Sequence, residues 1–129
     1  MKKGRILLAE ENKIAALAIA EILKDKVEQL DLANNVQELM QKYQSSHYDF
    51  ILLNTWLEDS LEITREIRAQ EAAINGKFTP IIGLFSEWEE DKNLRVVAYR
   101  KYLKAGMNDV FSRSLTEEDI DKILEKYIF

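Results

Sequence analysis

Two adjacent acids, Glu10 and Glu11, follow the apolar run Arg5-Ile6-Leu7-Leu8-Ala9. An amide and a hydroxyl, Asn54 and Thr55, follow Phe50-Ile51-Leu52-Leu53. Phe85 and Ser86 follow Ile81-Ile82-Gly83-Leu84, and Ser112, Arg113 and Ser114 follow Asp109-Val110-Phe111. If the four runs lie side by side, two carboxylates, an amide, hydroxyls and one cation meet at a single edge. Carboxylates and carbonyl oxygens are hard ligands of the kind Mg²⁺ takes. A cation beside hydroxyls and N–H donors suits a transferred anionic group. Asn54 is an amide among these groups: its nitrogen lone pair is delocalised and its oxygen carries no full charge, so it donates and accepts hydrogen bonds without ionising.

The elements that would bring these residues together are legible in the pattern. The four runs are short, continuous and not alternating, as strands buried on both faces are. Val27 to Leu32 is a fifth, weaker strand. Helical spacing falls between them. Ile14, Leu17, Ala18 and Ile22 share one helical face, and Val36, Leu39, Met40 and Tyr43 share another. Asp59 or Ser60 is placed to cap a helix from Leu61 to about Ala73, with Ile63 and Ile67 inward. Ser86-Glu87-Trp88-Glu89 reads as a capping box for a long helix ending at Ala105, with Gly106 as its stop. Thr116 starts a last helix carrying Ile120, Ile123, Leu124 and Tyr127 on one stripe.

Strand and helix thus alternate five times. That order predicts an α/β fold with right-handed crossovers. With five strands it predicts a flavodoxin-like (βα)5 doubly wound sandwich, sheet order 2-1-3-4-5, over residues 1–129 as a single domain. In such sheets ligands sit beyond the carboxyl ends of the strands, where the residues named above emerge.

Composition narrows the class. The 129 residues, 47% hydrophobic and 32% charged with net charge −5, suit one soluble globule. No apolar run approaches the roughly 18 residues of a membrane span, and the chain has no cysteine. A cytoplasmic protein without membrane contact is expected. Lysines and arginines are scattered, apart from Arg95, Arg100, Lys101 and Lys104. With no basic stripe and no reading element, nucleic acid is not an expected partner. The only histidine, His47, lies in a polar turn and reads as a surface residue.

Over essentially its full length the chain resembles the receiver domain of two-component response regulators. "RILLAEEN" resembles the first receiver strand with its acidic pair, "YDFILLNTWL" the third, "TPIIGLFS" the fourth, and "KAGMNDVFSRSL" the fifth with its lead-in and exit. "AGMND" and "PIIGL" are most similar to receivers carried by hybrid histidine kinases. The resemblance implies a phosphoacceptor at the end of the third strand, an acidic pair holding Mg²⁺, a Ser or Thr after the fourth strand and a Lys after the fifth.

The chain departs from that pattern at each place. Asn54 stands at the acceptor position, Phe85 at the Ser/Thr position with Ser86 beside it, Arg113 at the Lys position and Ser114 at the following Pro. Arg113 keeps the charge, but a planar fork does not replace an ammonium. Glu10 and Glu11 leave two carboxylates where the family has three, so Mg²⁺ would bind weakly and no other cofactor is expected. The loop after Asn54 is shorter than the family's and lacks its Pro and Gly, carrying Trp56, Glu58 and Asp59; Trp56 and Phe85 either fill the space a phosphoryl pocket would leave open or are ordinary packing residues. The helix after the fourth strand is longer.

The expectation is an atypical receiver: no enzyme, not phosphorylated on aspartate, and acting through protein contacts. Its partner would be a histidine kinase, a phosphotransfer protein or a downstream regulator, or a second copy paired through the helix 4–strand 5–helix 5 face. Trp88, Tyr99 and Tyr102 are candidate interface residues. The alternative is a phosphorylation-competent receiver, with Asn54 an introduced change or the acceptor moved to Asp59, Thr55 or Ser86. A metal-dependent enzyme built on Glu10 and Glu11 finds no nucleophile–base pair or glycine-rich cradle to support it.

Overall fold

The computed structural model describes residues 4–74, 78–85, 92–112 and 114–128. The elements are β1 (Arg5–Ala9), α1 (Lys13–Leu23), β2 (Gln29–Ala33), α2 (Val36–Ser45), β3 (Phe50–Asn54), α3 (Ser60–Ala73), β4 (Ile81–Phe85), α4 (Lys92–Ala105), β5 (Asp109–Ser112) and α5 (Glu117–Tyr127). The strands form one parallel sheet in the order β2-β1-β3-β4-β5, as the alternation predicts.

Helix starts follow local side-chain chemistry. Asn12 Oδ1 accepts from Ala15 N at 3.0 Å, and Asn35 Oδ1 accepts from Glu38 N at 2.8 Å. Thr116 and Asp119 form a reciprocal capping box on α5. Each satisfies an N–H that the first helical turn leaves without an intrahelical partner. α3 starts differently. Asp59 occupies its N-cap position at φ 66°, in the left-handed region, and makes no side-chain cap bond. Ser60 does not cap either: its hydroxyl donates to Thr55 O at 2.8 Å. Gly106, at φ 123°, ends α4 as expected. The proposed capping box at Ser86–Glu89 lies outside the described residues.

The continuous strands bury both faces. Ile6, Leu8, Phe50, Leu52, Ile82 and Leu84 pack with α1 and α5. Leu7, Ala9, Ile51, Leu53 and Ile81 pack with α2 and α3. The inward face of α1 is not the predicted one. Ala16, Ile19 and Leu23 are buried, Ile22 is half-buried, and Ile14 and Leu17 are 80% and 65% exposed. The helix is apolar nearly all round, so two stripes satisfy its period. α1 joins the core through the smaller one, with Ala16 allowing close approach to the sheet.

A polar network closes the amino ends of β4 and β5. Arg68 on α3 donates from Nε to Gly106 O at 2.9 Å, and from Nη1 to Glu71 Oε1 at 2.6 Å and Thr79 O at 2.9 Å. Its Nη2 donates to Asn108 Oδ1 at 2.7 Å. Glu71 Oε2 accepts from Tyr43 OH at 3.0 Å and Thr79 N at 2.7 Å. Asn108 Oδ1 also accepts from Ile81 N. The fork thus ties α2, α3, the lead into β4 and the α4–β5 corner together.

Two phenols record this kind of burial. Burial and the bond to Glu71 push Tyr43 up to about 12. Burial and the bond to Asp31 push Tyr48 up to about 12. A raised folded value means full stabilisation below the unfolded value of about 10, lost as pH climbs through the folded value. Thermal melts should therefore be flat to about pH 9 and fall steeply above about pH 10. The double variant Tyr43→Phe/Tyr48→Phe should start lower and show a shallower alkaline fall; equal slopes would contradict the assignment.

Candidate functional site

β1 and β3 are neighbours in register, Ala9 opposite Leu53, so the residues leaving them meet at the carboxyl edge. Glu10 and Asn54 are both 2% exposed. Asn54 Nδ2 donates to Glu10 Oε2 at 2.7 Å, and Asn12 N reaches the same oxygen at 3.3 Å. Asn54 Oδ1 accepts from Trp56 N at 3.0 Å, closing a turn at the start of the β3–α3 loop. Both ends of the amide are therefore engaged. An ionised carboxylate here could accept from Trp56 N but could donate nothing to Glu10. That is a physical reason for an amide in this position.

The other predicted positions separate. Glu11 is exposed. Thr55 is buried, its hydroxyl donating to Leu84 O at 3.2 Å, so it is engaged in joining β3 to β4. Its methyl group packs at Gly83, where an added Cβ would stand 2.7 Å from Met107 Sδ and 3.1 Å from Thr55 Cγ2. Phe85 is half-buried and lines a cavity under α4. Trp56 is 47% exposed. Asp59 is exposed beside Glu11 and Glu58. Ser114 is exposed, its N–H bonded to Ser112 Oγ. His47 lies on the surface, 3.8 Å from Asp49. Ser86, Trp88 and Arg113 lie outside the described residues.

The fit to Mg²⁺ is poor as the side chains stand. Asn54 presents an N–H donor to Glu10, and its oxygen is turned to Trp56 N. Among the described residues no three acids or histidines gather as a metal set. Of the predicted metal positions, Glu10 and Glu11 offer two carboxylates, short of what a near-octahedral ion needs from its site.

α4 sits differently from the other helices. Of its described side chains only Ala105 is buried, and Val96, Val97 and Tyr99 are exposed. Between α4 and the sheet lies an apolar cavity of about 600 Å³, lined by Phe85, Tyr99, Tyr102, Leu103 and Val110 among others. Tyr99 is at the surface, whereas Tyr102 is half-buried against the core and is more a packing residue than a docking one. The Arg68–Glu71–Asn108 network was not read from the sequence. Its one signal is an Arg–Glu pair at i, i+3, which elsewhere is an ordinary exposed feature.

Comparison with known proteins fits this geometry. The family model of the response regulator receiver domain matches residues 6–125. The receiver domain of a sensor histidine kinase from Pseudomonas aeruginosa PAO1, with magnesium in its active-site cleft, is 29% identical. It superposes with a TM-score of 0.77 over 98% of each chain. Histidine kinase 5 of Arabidopsis thaliana is 26% identical over 98% of this chain but only 16% of its own length. The chain therefore spans about one-sixth of that curated relative. A co-crystal of the Saccharomyces cerevisiae phosphotransfer protein Ypd1 with the receiver domain of Ssk1 shares the fold. Its TM-score is 0.82 at 20% identity, over 98% of this chain and 89% of that one. Among the described residues no helix is long and apolar enough to cross a membrane. With a matching family model over nearly all its length and the sheet order that goes with it, this chain belongs to the response regulator receiver domain family of two-component phosphorelay systems.

Proposed function

We propose that the chain is an atypical receiver that has given up aspartyl phosphorylation, is not an enzyme, and works in the cytoplasm by docking to other proteins of a phosphorelay. The observation that carries this reading is Asn54: it stands at the end of β3, buried, with its amide holding Glu10 on one side and Trp56 N on the other. An amide in that position cannot attack a phosphoryl group, and its donor fills the space over Glu10 that a metal would need. The yeast co-crystal supports a phosphotransfer protein as the kind of partner this fold takes. A kinase or downstream regulator would use the same mode of action.

Incubation with acetyl phosphate and Mg²⁺, read by intact mass, tests the proposal. The mass should stay unchanged under conditions that label a phosphorylation-competent receiver. A phosphoryl adduct on this chain would overturn it, and peptide mapping would then report whether Asp59 or a hydroxyl had taken over.

A further inference from the structure

Two surfaces of this molecule complement each other, and one molecule cannot bring them together. The first is a groove of about 620 Å³ between α2 and α3. Its floor is apolar: Val36 and Ile63 are buried and Met40 half-buried. One rim is acidic, with Asp59, Glu62 and Glu66 exposed along α3. These stand at i, i+3 and i+7, about 10 Å along the helix at 1.5 Å per residue. Among the described residues no lysine or arginine lines the groove. Of the cations on the two helices, Lys42 donates to Leu32 O and Arg68 is held in the network described above; Arg65 is not at the groove. Gln44 Nε2 donates to Gln70 Oε1 at 3.2 Å and closes one end. Asp59, with no capping bond to make, stands at the other end.

The second surface is the outer side of α4. The helix contains no Asp or Glu. Arg100, Lys101 and Lys104 are exposed on it, with exposed Val97 and, at its edge beside the cavity, Val96; Arg95 is exposed but lines the cavity on the other face. Arg100 and Lys104 repeat at i, i+4, the spacing of Glu62 and Glu66. α3 packs against both α2 and α4, so it stands between the two surfaces.

We infer that this chain associates head to tail, the basic, valine-bearing face of α4 from one copy lying in the acid-rimmed α2–α3 groove of the next. A second copy fits on charge, spacing and apolar content together. Basic side chains meet an acidic rim, and the valines meet Val36, Met40 and Ile63, with methionine adapting to the incoming shape. Such a contact is heterologous, so each molecule keeps one groove and one helix free for the next copy, giving rings or open chains. This differs from a symmetric pairing through α4, β5 and α5. It is independent of Asn54, so this inference and the proposed function fail separately.

Charge reversal tests it on the whole chain, with multi-angle light scattering as the readout. The wild type should grow in mass with concentration at about 20 mM salt and return to monomer at about 500 mM, where charges are screened within a few ångströms. Glu62→Lys/Glu66→Lys and Arg100→Glu/Lys104→Glu should each be monomeric alone. Mixed in equal amounts, they should grow in mass again, because the intact α4 of one meets the intact groove of the other and the two reversed surfaces are again opposite in charge. All four substitutions lie at exposed positions, and the circular dichroism of each variant should match that of the wild type. A wild type that stays monomeric at millimolar concentration in low salt would overturn the inference. So would a groove variant that still self-associates, which is the result a symmetric α4 pairing gives. A mixture that remains monomeric would do the same.

Discussion

Arg68→Met should be the most destabilising single change away from the hydrophobic core, at about 3–5 kcal/mol, the usual cost of removing one partner of a buried ion pair. The magnitude follows from what is stranded. Glu71 is 6% exposed and would lose its countercharge. The carbonyls of Gly106 and Thr79 would lose a charged donor, and Asn108 Oδ1 would keep only Ile81 N. Arg68→Lys should recover part of the loss, since an ammonium keeps the charge but cannot reach all four acceptors in one plane. Adding Glu71→Gln to Arg68→Met should also recover part. The amide oxygen still accepts from Tyr43 OH and Thr79 N, and no uncompensated charge remains. Urea titration at constant m-value reads each term, and the two single changes should be strongly non-additive. A loss under about 1 kcal/mol for Arg68→Met would show that the pair behaves like a surface one.

Asn54→Asp should make stability depend on pH and on Mg²⁺ in ways the wild type does not. The new carboxylate oxygen would stand where Nδ2 now lies, 2.7 Å from Glu10 Oε2. Two buried carboxylates at that separation cannot both ionise, so the pair would keep a proton into a higher pH range than either alone. A value raised in the folded state means stability present at low pH and lost as pH rises. The variant should therefore match the wild type most closely near pH 5. By about pH 8 in EDTA it should fall behind by about 1–3 kcal/mol, the cost of an unsatisfied buried polar group. Mg²⁺ should recover much of that loss by replacing the proton, and should leave the wild-type melting temperature nearly unchanged. Melts at two pH values, with and without Mg²⁺, suffice. A variant whose deficit is the same at both, in EDTA, would show that Asn54 and Glu10 are not coupled as described.

The fold was legible because its signals were redundant. Four continuous apolar runs, a helix start at Thr116 and a glycine stop at Gly106 each pointed to the same alternation. Asn54 was legible because it ends a buried strand, and a strand end in this fold has a fixed place. β2 was harder, since Gln29 and Asp31 dilute an edge strand that has only one neighbour. α1 misled because Ile14 and Leu17 outweigh Ala16 in hydrophobicity, while closeness to the sheet favours the small residue. Asp59 takes the N-cap position, as its place suggested, but with a left-handed backbone and no side-chain cap bond. The Arg68 network was invisible because its acceptors are mostly backbone carbonyls and an asparagine brought from 40 residues away. Sequence patterns report periodicity along a segment, and this network depends on where segments end relative to each other.

The position of that network separates stability from chemistry. It binds the amino ends of β4 and β5, while Glu10, Asn54 and Thr55 emerge at the carboxyl ends of their strands. The rivet and the reactive edge are at opposite poles of one sheet. Residues at the reactive edge can therefore be exchanged without loosening the scaffold, and the scaffold can be weakened without touching the edge.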